Sequence, residues 1–218
     1  MAAPLREGLN FCLIAGEAVF LDISTDRYFR LTPQQNADFL ALLAQGTVSS
    51  ADLSANWLSQ LAGTTTIDGQ LEPCQWAMPS RAFADDPGAG FPIAETSLAL
   101  VAQRRFERAL KTGPLALQLR LLANKLSSLP ACIPAPDNRA GRVVRGFAFA
   151  CYLRSAADRC LSRSLALADQ LARRGCRTHV VFGVKLAPFA AHCWVQADDL
   201  VLNETVEEVA RYTPILVV

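Results

Sequence analysis

RCLSRSLAL, residues 159–167, and AHCWVQ, residues 191–196, are the two stretches on which the reading of this chain turns. In the first, a cysteine stands where an amphipathic helix begins. Leu161, Leu165, Ala168 and Leu171 recur at helical spacing behind it, and Asp158 is the expected N-cap. Cys160 then falls in the first turn, where unpaired backbone N–H groups and the positive end of the helix dipole favour a thiolate. In the second stretch apolar alternation predicts a strand. His192, Trp194 and Gln196 face one way on it, and Cys193, Val195 and Ala197 the other. A thiol at a helix start and an imidazole on a neighbouring strand are the minimum equipment of cysteine acyl-transfer chemistry.

The third role, orienting the imidazole, falls to Glu204. A three-residue loop at Ala197, Asp198 and Asp199, with Asp199 left-handed, would pair residue 196 with 200, 194 with 202 and 192 with 204. A two-residue loop of Asp198 and Asp199 would instead pair Glu204 with Cys193 and turn it to the other face. Asp198 and Asp199 themselves read as a solvated turn. The other histidine, His179, reads as structural. Cys176, His179, His192 and Cys193 have the residue types of a metal site. However, His192 and Cys193 point to opposite faces, so no metal is expected, nor any other cofactor.

Outward from these stretches, helical spacing covers residues 94–111, 114–127, 139–153 and 158–175. Strands follow at 177–184, 191–197, 200–203 and 213–218. Helices followed by an antiparallel sheet make an α+β pattern. The N-terminal part reads differently. Strands at 11–15 and 18–23 flank a Gly16-Glu17 turn, a third strand covers 27–31, and Thr32-Pro33 opens a helix to about Gln45. A second helix covers about 50–61 and puts Leu53, Trp57 and Leu61 on one face. Residues 78–92, rich in Pro, Gly and Asp, read as a linker. The expected organisation is a domain over 1–80, a linker over 81–92 and a second domain over 93–218.

The 218 residues are 51% hydrophobic and 19% charged, with a formal net charge of +1. That composition provides for buried cores and argues against nucleic-acid binding by bulk charge. No run approaches the roughly 18 apolar residues of a membrane span. Seven scattered cysteines and no signal-like N-terminus lead to an expected cytoplasmic location with free thiols.

The run RCLSRSLALADQLARRGCRTHVVFGVKLAPFAAHCWVQADDLVLNE closely resembles the transglutaminase-like cysteine peptidases of lasso peptide biosynthesis. The resemblance extends over residues 93–218 and is concentrated in 159–204. It implies Cys160 as nucleophile, His192 as base and Glu204 as third member, where that family usually has Asp. Gln196 stands where it often has Glu, and Cys193 where it often has Ala. The stretch VFLDISTDRYFRLTPQQNADFLALLAQG, residues 19–46, is similar to the small winged-helix-like domain that binds leader peptides in peptide-modification systems. That likeness implies a leader added as a strand beside Arg27, Tyr28, Phe29, Arg30 and Leu31, against a helix carrying Trp57 and Leu61. Core packing is the alternative role for Trp57 and Leu61. Together the resemblances imply a leader peptidase. It would bind a ribosomal precursor peptide, free its core, and pass the core to an ATP-dependent, asparagine-synthetase-like cyclase. The alternatives are a transglutaminase-type acyltransferase or amidase, and a non-catalytic leader-binding chaperone.

Overall fold

A computed structural model describes residues 5–45, 61, 72–84, 90–135, 138–153 and 159–218. The chain divides into two compact units, Met1–Gln75 and Trp76–Val218.

In the first unit, strands β1 (Leu9–Ile14), β2 (Glu17–Asp22) and β3 (Arg27–Arg30) form an antiparallel meander in that order. The first turn sits one residue earlier than expected. Ala15 and Gly16 both have positive φ, +50° and +82°, the combination of a two-residue hairpin, so Ile14 pairs with Glu17. The second turn is tied by Asp22. Its carboxylate accepts bonds from the Ser24 amide, the Ser24 and Thr25 hydroxyls and Arg6, and it is 3% exposed. Helix α1 (Pro33–Gln45) starts as the sequence predicts. The Thr32 hydroxyl accepts from the Gln35 amide while the Gln35 side chain accepts from the Thr32 amide. Asn36 of α1 accepts from Ala18 N–H and donates to the Gly16 carbonyl, clamping the helix to the hairpin. Phe11, Phe20 and Phe39 pack edge-to-face and stacked at 5.3–5.7 Å, with Leu9, Ala18 and Leu61 closing the core.

The second unit is α+β, as the sequence predicts. Helices α2 (Ile93–Thr112), α3 (Leu115–Ser127), α4 (Arg139–Leu153) and α5 (Cys160–Ala172) precede most of the sheet. Strands β4 (Arg81–Ala82), β5 (His179–Leu186), β6 (Phe189–Ala197), β7 (Leu200–Val201) and β8 (Thr213–Val217) form one sheet in the order β4-β7-β6-β5-β8. A single-turn helix, α6 (Val206–Val209), sits between β7 and β8. Helix α5 is the keystone. It packs on α2, α3 and α4 and on β5 and β6, and Leu165, Ala166, Leu167, Ala168 and Leu171 are fully buried. A helix enclosed on most sides needs apolar or small residues over most of its circumference, and this stretch leaves Arg163 and Asp169 on the part that is less covered.

Two expectations are corrected here. The linker expected over 81–92 begins instead with a strand. Arg81 forms a two-pronged ion pair with Asp199 at 2.7 and 2.8 Å, and Ser80 donates to the same carboxylate. The pair ties β4 alongside β7 and gives Asp199, a partly exposed turn residue, a partner as well. The loop joining β6 and β7 is also shorter than expected. Ala197 pairs with Leu200 and Gln196 with Val201, leaving Asp198 and Asp199 as a two-residue turn in which Asp198, not Asp199, has positive φ.

Candidate active site

Cys160 is the first residue of α5, and Arg159 occupies the cap position without a side-chain cap bond. The expected cap, Asp158, lies outside the described residues. The first bond of the helix runs from Arg163 N–H to the Arg159 carbonyl, so the Cys160 amide is among those left without a partner inside the helix.

His192 stands on β6 opposite Gly183 of β5. Its ring lies 5.2 Å from the Tyr212 ring and 6.4 Å from Trp194. Gly183 makes this packing possible: a Cβ there would stand 2.6 Å from the Trp194 ring and 2.8 Å from Tyr212. A ladder shift between Phe182 and Gly183 accompanies this crowding.

Glu204 reaches His192, with Oε1 at 3.2 Å from Nε2. The route differs from the one expected. The two-residue turn alone would have turned Glu204 to the face of Cys193. The ladder stops at Val201, Leu202 donates once more to the Val195 carbonyl, and the Asn203 side chain takes the Val195 N–H. The main chain thereby leaves the sheet, and Glu204 comes round to the His192 face. The Nε2 N–H points off the oxygen, so the approach is a charge contact with no aligned hydrogen bond. The same Oε1 lies 4.0 Å from Nη1 of Arg163, one helical turn beyond Cys160.

These neighbours set the charge of the imidazole. Burial pulls the His192 pKa down, but interaction with Cys160 and with Glu204 outweighs it and raises the value from 6.5 to about 9. The Cys160 side chain and the Glu204 carboxylate both act on the one imidazole. Helix start, strand and post-strand loop thus bring Cys160, His192 and Glu204 together.

The family model of the transglutaminase-like superfamily matches residues 100–217, more than half of the chain. The chain belongs to this superfamily. Membership brings thiol chemistry of the cysteine peptidase or acyltransferase type. No curated protein and no solved structure matches the chain.

Within the transglutaminase-like domain the other thiols differ from Cys160 in setting. Cys193 is fully enclosed on the opposite face of β6, and burial raises its pKa well above the ordinary range. Burial raises Cys176 likewise, and it raises Cys151 with partial opposition from Arg163. His179 contrasts with His192: burial and Arg177 lower its pKa, and it packs on Trp76 at 4.7 Å. A cavity of about 470 Å³ at that end of the β5–β6 pair is lined by Trp76, Cys132, Arg177, His179, Gln196 and Asp198. It contains none of Cys160, His192 and Glu204. Among the described residues no three His, Cys, Asp or Glu side chains gather as a metal site would require. No described helix is long and apolar enough to cross a membrane.

The residues expected to meet a leader lie in the first unit. Arg27, Tyr28, Phe29 and Arg30 form β3, which pairs with β2 and is, among the described strands, the last in the sheet order. Phe29 turns inward and stacks on Phe20 at 5.1 Å, Leu31 packs on the same core, and Arg30 pairs with Glu17 at 2.9 Å. Leu61 is 4% exposed and belongs to the core. Trp57 lies outside the described residues. The sequence reading did not single out Arg163, Asn203, Tyr212 or Gly183. Only Arg163, three residues after Cys160 on a helix, had a spacing that places it on the side of Cys160.

Proposed function

We propose that this protein is a cysteine endopeptidase that binds the leader of a ribosomally made lasso precursor peptide and cleaves it from the core. The observation that carries the reading is the approach of Glu204 to His192, whose raised pKa couples it to Cys160. Over the neutral range His192 holds a proton, and the imidazolium beside Cys160 is the group that would stabilise the attacking sulfur. The Cys160 sulfur attacks the carbonyl carbon at the leader–core junction, and the backbone N–H of Cys160 faces the developing oxyanion. The C–N bond breaks, and His192 gives its proton to the departing amine, the new N-terminus of the core. Water, deprotonated by His192, then hydrolyses the thioester and releases the leader. Glu204 stabilises and orients the imidazolium throughout.

The place of β3 at the end of the described strand order supports leader binding in the first unit, because an edge strand offers main-chain groups to a peptide added alongside. Arg27, exposed on β3, is one residue that would meet it. Holding the leader on the same chain raises the local concentration of the scissile bond, so weak recognition at the junction suffices. The freed amine suits an ATP-dependent cyclase that joins it to a side-chain carboxylate, and both steps belong to the cytoplasm.

Incubation with a lasso-type precursor, followed by mass spectrometry, tests this directly. The wild type should release a leader bearing a free carboxylate, and Cys160→Ala should bind the precursor without cutting it. An amine-capped leader or a cross-linked product would instead assign the site to acyl transfer. An uncut precursor with the wild type would contradict the reading.

A further inference from the structure

The three elements that carry Cys160, His192 and Glu204 are joined by one buried polar chain. Asn203, beside Glu204, accepts the Val195 N–H at 2.8 Å and donates from Nδ2 to the Ser164 hydroxyl at 2.9 Å. Ser164, one turn after Cys160 on the same side of α5, donates in turn to the Cys193 carbonyl at 2.9 Å, next to His192. Ser164 is fully enclosed and Asn203 is 8% exposed. The hydroxyl has one proton and spends it on the carbonyl, so it must accept from the amide. That fixes which way Asn203 points. Every polar atom of the Asn203 side chain that is named here has a partner, as a buried network requires.

The placement of the chain is what makes this network more than core packing. The β6–β7 register would carry Glu204 to the face of Cys193, because one residue of offset reverses a strand's faces. Asn203 ends the ladder by supplying a side-chain acceptor to Val195 where a main-chain partner would stand. We propose that Asn203, tied to the nucleophile's helix through Ser164, is the positioning residue that brings Glu204 to His192. Asn203 touches no reacting atom and acts through Glu204. Among the described residues, the charged and titratable groups around His192 and Glu204 include Cys160 and Arg163 from α5, Cys151 from α4, which interacts with both Arg163 and Glu204, Glu204 from the segment after β7, Tyr212 before β8, and Lys185 of β5, which lies over the Tyr212 ring at 4.8 Å.

This inference rests on the pairing of Cys160, His192 and Glu204 used above, but its test does not depend on any peptide being cut. The protonation of His192 in the full chain is followed by NMR titration, with His179 distinguished by a His179→Gln variant. The wild-type midpoint should lie near 9. In Asn203→Leu, of similar volume, it should fall by about one unit or more, and in Ser164→Ala by about half as much. In a Glu204→Gln background, Asn203→Leu should produce no further fall, because the residue acts through the carboxylate. A folded Asn203→Leu or Ser164→Ala protein with an unmoved midpoint would overturn the proposal. So would a further fall of the same size in the Glu204→Gln background. Should Asn203→Leu fail to fold, Ser164→Ala carries the test. An ordinary midpoint in the wild type would instead refute the underlying pairing.

Discussion

The two sheets of this protein contrast in regularity. The N-terminal meander pairs without interruption from Leu9 with Asp22 to Ile14 with Glu17, and its helix clamps it through Asn36. The C-terminal sheet is irregular in two places, at the Phe182–Gly183 shift and at the early end of β7. Both irregularities border His192. A regular sheet presents main chain at an edge, which suits recognition of a strand. With the two-residue turn at Asp198 and Asp199, Glu204 reaches His192 only because the ladder ends at Val201.

That contrast is sharpest if changes at the irregular places remove activity while changes in the regular sheet remove only stability. The largest effect is expected at His192. His192→Ala should lower the rate of Cys160 alkylation, and of precursor cleavage, by about a thousandfold, in the range of a lost acid–base group. Glu204→Ala should cost less, about ten- to a hundredfold, because the imidazole remains and loses only its orienting charge. Equal losses would mean that Glu204 does more than orient. Gly183→Ala comes next. The added methyl meets Trp194 at 2.6 Å, so overpacking should lower stability by about 1–3 kcal/mol in urea unfolding, with reduced activity in the folded fraction. In the regular sheet, Asn36→Ala should cost about 1–2 kcal/mol through the unpaired Ala18 amide and leave alkylation of Cys160 unchanged. An alkylation change in Asn36→Ala would break the contrast.

A further expected effect is on stability with pH. The folded-state pKa of His192 is raised from 6.5 to about 9. Its stabilising contribution is therefore full below about 6.5 and is lost as the pH rises through about 9. His192→Gln should flatten that part of the stability profile, measured as urea midpoints across the same range. An unchanged profile would show that His192 is not the group responsible.

The parts of the site that were legible in the sequence are the local ones. A helix start was visible at Cys160 from the periodicity behind it, and alternation on β6 separated His192 from Cys193. Both are read over a few residues. Glu204 was named through a three-residue loop that the chain does not make. Its arrival beside His192 depends on Asn203 replacing a ladder partner, a bond to Val195 eight residues away. The strand at Arg81–Ala82 was hidden for the same reason. Its partner Asp199 is 118 residues distant, and locally the stretch has only the composition of a linker. Leu61 had two roles open at equal spacing on a helix face, and periodicity does not distinguish a core from a groove. Tyr212 and Gly183 were silent because their importance lies in one another and in Trp194.

The central claim is that one thiol of seven is activated by His192 and Glu204. Competitive alkylation of the native chain with iodoacetamide at neutral pH, read cysteine by cysteine by mass spectrometry, tests it most directly. The account predicts that Cys160 reacts first and that His192→Ala removes its advantage. Cys12, held by burial at a pKa of about 12, along with Cys176 and Cys193, should react last. Modification of Cys160 no faster than of the buried thiols, or a Cys160 rate indifferent to His192, would contradict it.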